Sequence, residues 1–257
     1  MARLEQLTVY PVKGLDGIDL ETASVLDGGT IAGDREFALF DANGDVVNGK
    51  RTEQVHRLET DYDPETSTLT VEPPDGTMHR FELGDDPGPA EAWFSGYFDE
   101  DLSLERDASL GFVDRRDMGP SVISTATIRT VTSWFDELTV DGVRRRLRAN
   151  VEVAGVEPFW EDRFVGEGAP TFVIGGVRFE GVTPCGRCIV PQRDPDTGAQ
   201  NDSFRARFVR NREKSFPSWA DADAFDHYYT VMILTRVLAT DRGRTLRVDD
   251  PIEIVAD

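Results

Sequence analysis

The stretch Arg178 to Gly198, R-F-E-G-V-T-P-C-G-R-C-I-V-P-Q-R-D-P-D-T-G, holds both cysteines of the chain, Cys185 and Cys188, in a C-x-x-C. An apolar β-type run (Val173, Ile174, Val177, Phe179, Val182) leads in. Ile189-Val190 leads out as a second short strand, before the turn cluster Asp194-Pro195-Asp196-Thr197-Gly198. Two thiols are therefore expected between two strands, with Gly186 and Arg187 separating them. A pair so close in sequence closes too small a loop to staple a fold. A zinc site needs four ligands, and His56, His79 and His227 lie far off in the chain. A thioredoxin-like dithiol opens a helix, whereas this pair follows a β run. Two readings stay open: buried inert thiols, and a thiolate ligand to a soft transition metal favoured by the cation of Arg187.

Outward from this stretch the chain reads as short strands. Arg3 to Val12, Ile18 to Leu26, Arg35 to Phe40, His56 to Asp61, Thr68 to Glu72 and Thr77 to Leu83 carry β-branched and aromatic residues. They are separated by turn residues, including the hairpin signal Ala42-Asn43-Gly44-Asp45 with Val46-Val47 as returning partner. Even spacing of short strands argues for a β-barrel or sandwich rather than βαβ units. Ala90 to Phe98 reads as a short helix and Leu102 to Glu105 as a strand. Arg106 to Gly119 is turn-rich and is expected to be an exposed connection, and Ser133 to Leu138 opens like a capped helix. Val151 to Val153, Tyr228 to Leu238 and Ile252 to Val255 complete the strands, while Asn201 to Ser218 reads as loop or short helix. The expected fold is mainly β with a few helices, divided into residues 1–106 and 107–257.

Charge narrows the partners. Against 28 Lys and Arg stand 48 Asp and Glu, a net charge of −20, so most surfaces repel nucleic acid and anionic lipid. Lysine is nearly absent, at Lys13, Lys50 and Lys214 only. An acidic, lysine-poor surface with ordinary hydrophobic content suits high salt, and a halophilic protein is expected. No run of about 18 apolar residues occurs, nor a signal-peptide core at the N-terminus, so a cytoplasmic protein without membrane partners is expected.

Within so acidic a chain, isolated cations stand out. Lys13 follows Tyr10-Pro11-Val12, where a phosphate or carboxylate partner explains a retained lysine. Arg35 leaves the turn Gly33-Asp34 and reaches the same anion, or pairs with Asp34. Arg144-Arg145-Arg146-Leu147-Arg148 is the one basic cluster, and pairing of Arg144 to Arg146 with local carboxylates is its plainest explanation.

Taken in order, Tyr10-Pro11-Val12-Lys13, Gly33-Asp34-Arg35-Glu36-Phe37, Leu147-Arg148-Ala149-Asn150-Val151, Pro184-Cys185-Gly186-Arg187-Cys188 and Asp194 to Gly198 resemble the motif set of MOSC proteins with an N-terminal β-barrel domain. That family includes the mitochondrial amidoxime-reducing component and the C-terminal domain of molybdenum-cofactor sulfurase. The resemblance implies a MOSC β-barrel with a smaller β-rich N-terminal domain against it, and a molybdopterin-type molybdenum cofactor. It implies Cys188 as metal ligand and catalytic centre, with Lys13, Arg35, Arg148, Asn150, Gly186 and Arg187 binding the cofactor. Cys185 receives no ligand role, and Gly14 stands where a serine is common.

The activity implied is an oxidoreductase that reduces N-hydroxylated compounds or N-oxides, with Arg187 or Asp194 as candidates for proton delivery. Two cysteines cannot hold an iron–sulfur cluster, which takes about four thiolates, so electrons come from a separate protein. The alternative activity is a sulfur carrier bearing a persulfide on Cys188 for metallocofactor sulfuration. An acidic β-domain with two inert thiols is the third reading.

Overall fold

A computed structural model describes residues 1–255. The first half carries β1 (Arg3–Val9), β2 (Ile18–Leu20), β3 (Thr22–Ser24), β4 (Phe37–Asp41), β5 (Glu59–Asp63), β6 (Thr68–Glu72), β7 (His79–Glu82), α1 (Gly88–Phe98) and β8 (Leu102–Arg106). The second carries β9 (Ser121–Ser124), α2 (Thr125–Ser133), α3 (Val140–Leu147), β10 (Val151–Ala154), β11 (Thr171–Ile174), β12 (Val177–Gly186), α4 (Phe204–Lys214), β13 (Thr230–Val237), β14 (Thr245–Arg247) and β15 (Ile252–Val255). The chain is mainly β, as its strand-rich patterning implies.

Eight strands form the principal sheet in the order β15-β11-β12-β13-β9-β10-β1-β2. Every neighbouring pair is antiparallel except β9 with β10, which run parallel because α2 and α3 carry the chain across between them. One βαβ unit thus sits inside a fold whose turn spacing argued against such units. The sheet curls until Leu4 N–H donates to Asp250 O at 2.9 Å and Ile252 N–H to Ala2 O at 3.1 Å. It does not close as a continuous ladder among the described residues. Pro251 has no N–H to contribute, and the meeting of β1 with the approach to β15 is an isolated bridge, Arg3 with Pro251.

The apolar faces divide into three cores. One lies under the principal sheet (Leu4, Leu7, Phe172, Phe179, Ile233). A second, in the first half, packs Phe37, Leu39, Leu69 and Phe94 between β4–β8, β5–β6–β7 and α1. The third joins the helices through Ile128, Val143, Phe204 and Phe208.

Several local expectations are corrected. His56 lies in a 3-10 turn, Glu53–Arg57, rather than in a strand. Val46 makes only a bridge to Phe40, and the ladder partner of β4 is β8. The helix expected from Ser133 begins instead at Thr125, capped by Ser124, whose Oγ accepts from Thr127 N–H at 3.0 Å. Ile189-Val190 leads into a 3-10 turn, Val190–Gln192, because Pro191 cannot donate to a ladder. The polar stretch after Asn201 is an eleven-residue helix, α4.

Candidate functional site

The cysteine loop hangs from the end of β12. Opposite it, β13 slips register between the partners of Pro184 and Gly186, and there Met232 takes the left-handed φ of 63°. Such a conformation is costly for a side-chain-bearing residue in a strand, and it marks a bulge that redirects the chain. Arg187 N–H donates to Tyr229 O at 2.9 Å, which fixes the loop just before Cys188.

Arg187 turns toward the first cysteine rather than the second. Its Nη1 donates to Cys185 Sγ at 3.1 Å and lies 3.5 Å from Met232 Sδ, while Nη2 donates to Leu147 O at 2.8 Å. The expectation of a direct charge partner for Cys188 is therefore corrected: the strand-borne Cys185 takes that contact. Cys188 is half-buried, and no side-chain hydrogen bond engages its sulfur among the described residues. His227 lies close by, where a Cβ added at Gly186 would meet its ring at 3.6 Å, and its Nδ1 accepts from Tyr229 N–H at 3.1 Å.

The C-terminal turn of α3 ties the separate motifs together. Thr139 caps the helix at its start, and Arg148 ends it in the left-handed region with φ 58°. From this turn Arg145 reaches Asp196 (2.5 Å) and Arg146 reaches Asp194 (3.2 Å) and the Arg193 carbonyl, so two successive arginines hold the D-P-D-T-G loop. Leu147 O holds Arg187. Arg144 forms a two-pronged pair with Glu152 at 2.7 and 2.8 Å, so local pairing of Arg144 to Arg146 is found. Arg146 is nevertheless 93% buried, being only 7% exposed, and it lines the cavity described below.

Tyr10 joins the two halves. Arg148 Cζ stands 3.9 Å above its ring and Arg35 Cζ 5.1 Å from it, while Arg148 Nη2 donates to Leu15 O at 2.7 Å. Burial pushes the Tyr10 phenol up to about 12 although both guanidiniums oppose it. Burial likewise lowers the Arg148 pKa. For Arg35, burial works against the charge, but the adjacent Asp34 carboxylate prevails and raises the pKa. Arg35 therefore does pair with Asp34. Asn150 spends its side chain on structure: Oδ1 accepts from Ser121 N–H and Oγ at 3.2 and 3.0 Å, and Nδ2 donates to Thr8 O at 3.2 Å.

Lys13, Arg35, Arg148, Asn150, Gly186, Arg187 and Cys188 all line one cavity of about 450 Å³ between the halves. Nine lysines and arginines face it against four aspartates, a cationic interior in a protein of charge −20. Sequence reading missed Lys50, Arg193, Asp114 and His227. The scarcity of lysine was the signal for Lys50, since two of the three lysines face the cavity. Asp114 lies on the connection expected to be merely exposed, and it lines the same space. The Nε atoms of Arg146, Arg187 and Arg193 are buried without hydrogen-bond partners among the described residues. Donors left unmade around a cationic cavity fit an anionic, phosphate-bearing group, and a neighbouring thiol fits a soft metal.

Among the described residues no helix is long and apolar enough to cross a membrane. The model of the MOSC N-terminal beta barrel domain matches residues 1–93, and that of the MOSC domain residues 120–253. The chain is 21% identical to mitochondrial amidoxime-reducing component 1 of Homo sapiens, over 97% of this chain and 82% of that protein. It is 20% identical to mitochondrial amidoxime reducing component 2 of Bos taurus, with the same coverage of both chains. It is 24% identical to the molybdenum cofactor sulfurase of Solanum lycopersicum, over 76% of this chain but only 29% of the sulfurase. With the MOSC model spanning more than half its length and the N-terminal model preceding it, the chain belongs to the MOSC family.

Proposed function

We propose that the protein is a molybdenum-cofactor-dependent oxidoreductase that reduces N-hydroxylated compounds or N-oxides. The observation that carries this reading is the convergence of seven residues from four distant motifs on one cationic cavity beside Cys188. Lys13, Arg35 and Arg148 would hold the cofactor's anionic end, Gly186 and Arg187 would lie against it near the metal, and Cys188 would ligate the metal. Asn150 would shape the wall while clasping β9 and β1. Bound there, the cofactor would supply the two-electron chemistry that removes oxygen from nitrogen. Overall, an N-hydroxylated base plus two electrons and two protons gives the parent base and water. The electrons come from a separate electron-transfer protein, in the cytoplasm.

The chain's own part is binding, orientation and charge. Asp194 is a poor proton donor. Burial raises its pKa, but the Thr197 hydroxyl and the backbone N–H groups of Asp196 and Thr197, with Arg146 beside them, hold it below the carboxylate range. Arg187, charged and engaged with Cys185 and Leu147, orients rather than donates protons. The test is metal analysis after expression in a cofactor-producing host. Stoichiometric molybdenum is expected in the wild type and in Cys185→Ala, and none in Cys188→Ala; a wild type without molybdenum or pterin overturns the reading.

The absence, among the described residues, of a hydrogen bond to the Cys188 sulfur also suits a second activity, sulfur carriage. A desulfurase persulfide would pass its outer sulfur to the Cys188 thiol, returning the desulfurase thiol and leaving a persulfide on Cys188. A mass gain of one sulfur on Cys188 without bound pterin would favour this activity over reduction.

A further inference from the structure

Lys13 and Lys50 reach the same carboxylate from two loops. Lys13 Nζ lies 2.6 Å from Asp114 Oδ1, and Lys50 Nζ lies 2.6 Å from Asp114 Oδ2. Lys13 Nζ also donates to Phe112 O at 2.7 Å. Gly14 makes the approach of the two loops possible: its φ is +100°, and a Cβ there would press on Asn48 Cα at 3.2 Å. These are two of only three lysines in a chain that otherwise uses arginine, and both line the cavity. Each lysine offers a compact point charge with three donors, which serves a phosphate oxygen as readily as the carboxylate now bound.

Asp114 rides on a strap without regular secondary structure between β8 and β9. The strap is pinned at Phe112, whose N–H donates to Arg35 O at 2.7 Å and whose ring meets Phe40 edge-on at 5.2 Å. It is pinned again at Gly119, whose N–H donates to Thr235 O at 2.6 Å. Between these anchors the Asp114 side chain makes hydrogen bonds to the two lysines and to nothing else among the described residues, and it is 55% exposed. The two ammonium groups hold its carboxyl below the usual range, against the effect of burial.

We propose that Lys13 and Lys50 form a two-lysine seat for a dianionic phosphate monoester, and that Asp114 occupies this seat until the phosphate displaces it. The inference rests on the reading of the cavity as a cofactor site, and it adds Lys50 as a binding residue and Asp114 as an internal competitor. A phosphate brings two charges and three acceptor oxygens where the carboxylate brings one and two, so exchange favours the phosphate. Freed of the lysines, Asp114 has its strap to swing on and open solvent to enter.

The test uses the full chain, free of cofactor, with inorganic phosphate as the probe and calorimetry as the readout. Asp114→Asn is expected to tighten phosphate by about tenfold, the scale of removing one competing charged partner, and Lys50→Met to weaken it in both backgrounds. An Asp114→Asn protein that binds phosphate no more tightly, or a Lys50→Met change without effect, overturns the proposal. The wild type supplies a second measurement that needs no variant. Phosphate is expected to protect Lys13 and Lys50 from an amine-acetylating reagent and to leave Lys214 on α4 unprotected; equal acetylation of all three with and without phosphate overturns it. Molybdenum content, read separately, decides the cofactor reading alone, so failure of the seat and failure of the cofactor assignment are distinguishable.

Discussion

Arg212 is wholly buried, yet it occupies a place that periodicity gives to an apolar residue. Phe204, Phe208 and Arg212 recur every four positions along α4 and form its buried stripe. The guanidinium survives there because Nη2 meets Asp162 at 2.5 Å, Nε donates to Thr230 O at 3.2 Å, and the Phe159 ring lies 4.2 Å away. Removing one partner strands the other charge in the core. Arg212→Met is therefore expected to cost about 3–5 kcal/mol in urea unfolding, much of it regained in the double variant with Asp162→Leu. Beside this pair, Glu161 is also fully buried, and burial together with the Asp162 charge pushes its pKa up to about 8. Between the ordinary value of 4.5 and about 8, the folded chain keeps a proton that the unfolded chain has lost. Stability should accordingly fall as pH rises through that window, by at most about 1.4 kcal/mol per pH unit, and level off above it. Denaturant melts of Glu161→Gln from pH 5 to 9 check this: the variant should lack the slope. None of these roles was legible, because a buried arginine or glutamate looks like a surface residue until its partner, far off in the chain, is known. Lys13 stood out as a candidate because lysine is so scarce, whereas Cys188 and Arg35 were singled out through the resemblance of their motifs; all three line the cavity.

At the scale of the element, α2 shows what composition hides. Its β-branched run, Thr125 to Thr132, resembles a strand, and the tempting cap was Ser133. The actual cap is Ser124, at the junction where β9 ends, and the buried face is Thr127, Ile128 and Val131. Ser124→Ala is expected to cost about 1 kcal/mol and Ser133→Ala less than about 0.5 kcal/mol, measured by thermal unfolding. Some elements were read closely: β6 is Thr68–Glu72 as expected, and α1 extends the expected helix by two residues, Gly88 and Pro89, whereas the alternating stretch Ile18 to Leu26 divides into β2 and β3 in different sheets. The basic turn of α3 was visible as a cluster but not as a joint, since its function is to hold loops that lie some 40 or 50 residues later, at Arg187, Asp194 and Asp196.

For the whole molecule, charge sets the terms. An acidic exterior encloses a cationic cavity, and repulsion among surface carboxylates should be relieved by salt. The melting temperature is expected to rise between 0.1 and 2 M potassium chloride, and a flat or falling response would remove the case for halophilic adaptation. The strand content and the β-rich first half were legible from turn spacing, whereas the open curl of the principal sheet was not, because strand order is a matter of distant pairing. One such pairing bears on how the protein is made. Arg3 of β1 lies opposite Ala154 of β10, so β1 joins a partner synthesised roughly 150 residues later. At about 5–20 residues per second, that partner follows roughly 8–30 s behind. For that time the apolar edge formed by Leu4, Leu7 and Val9 has only β2 beside it. Until β10 emerges, β1 is thus a nascent segment in need of a chaperone, and the ladder along its far edge forms late.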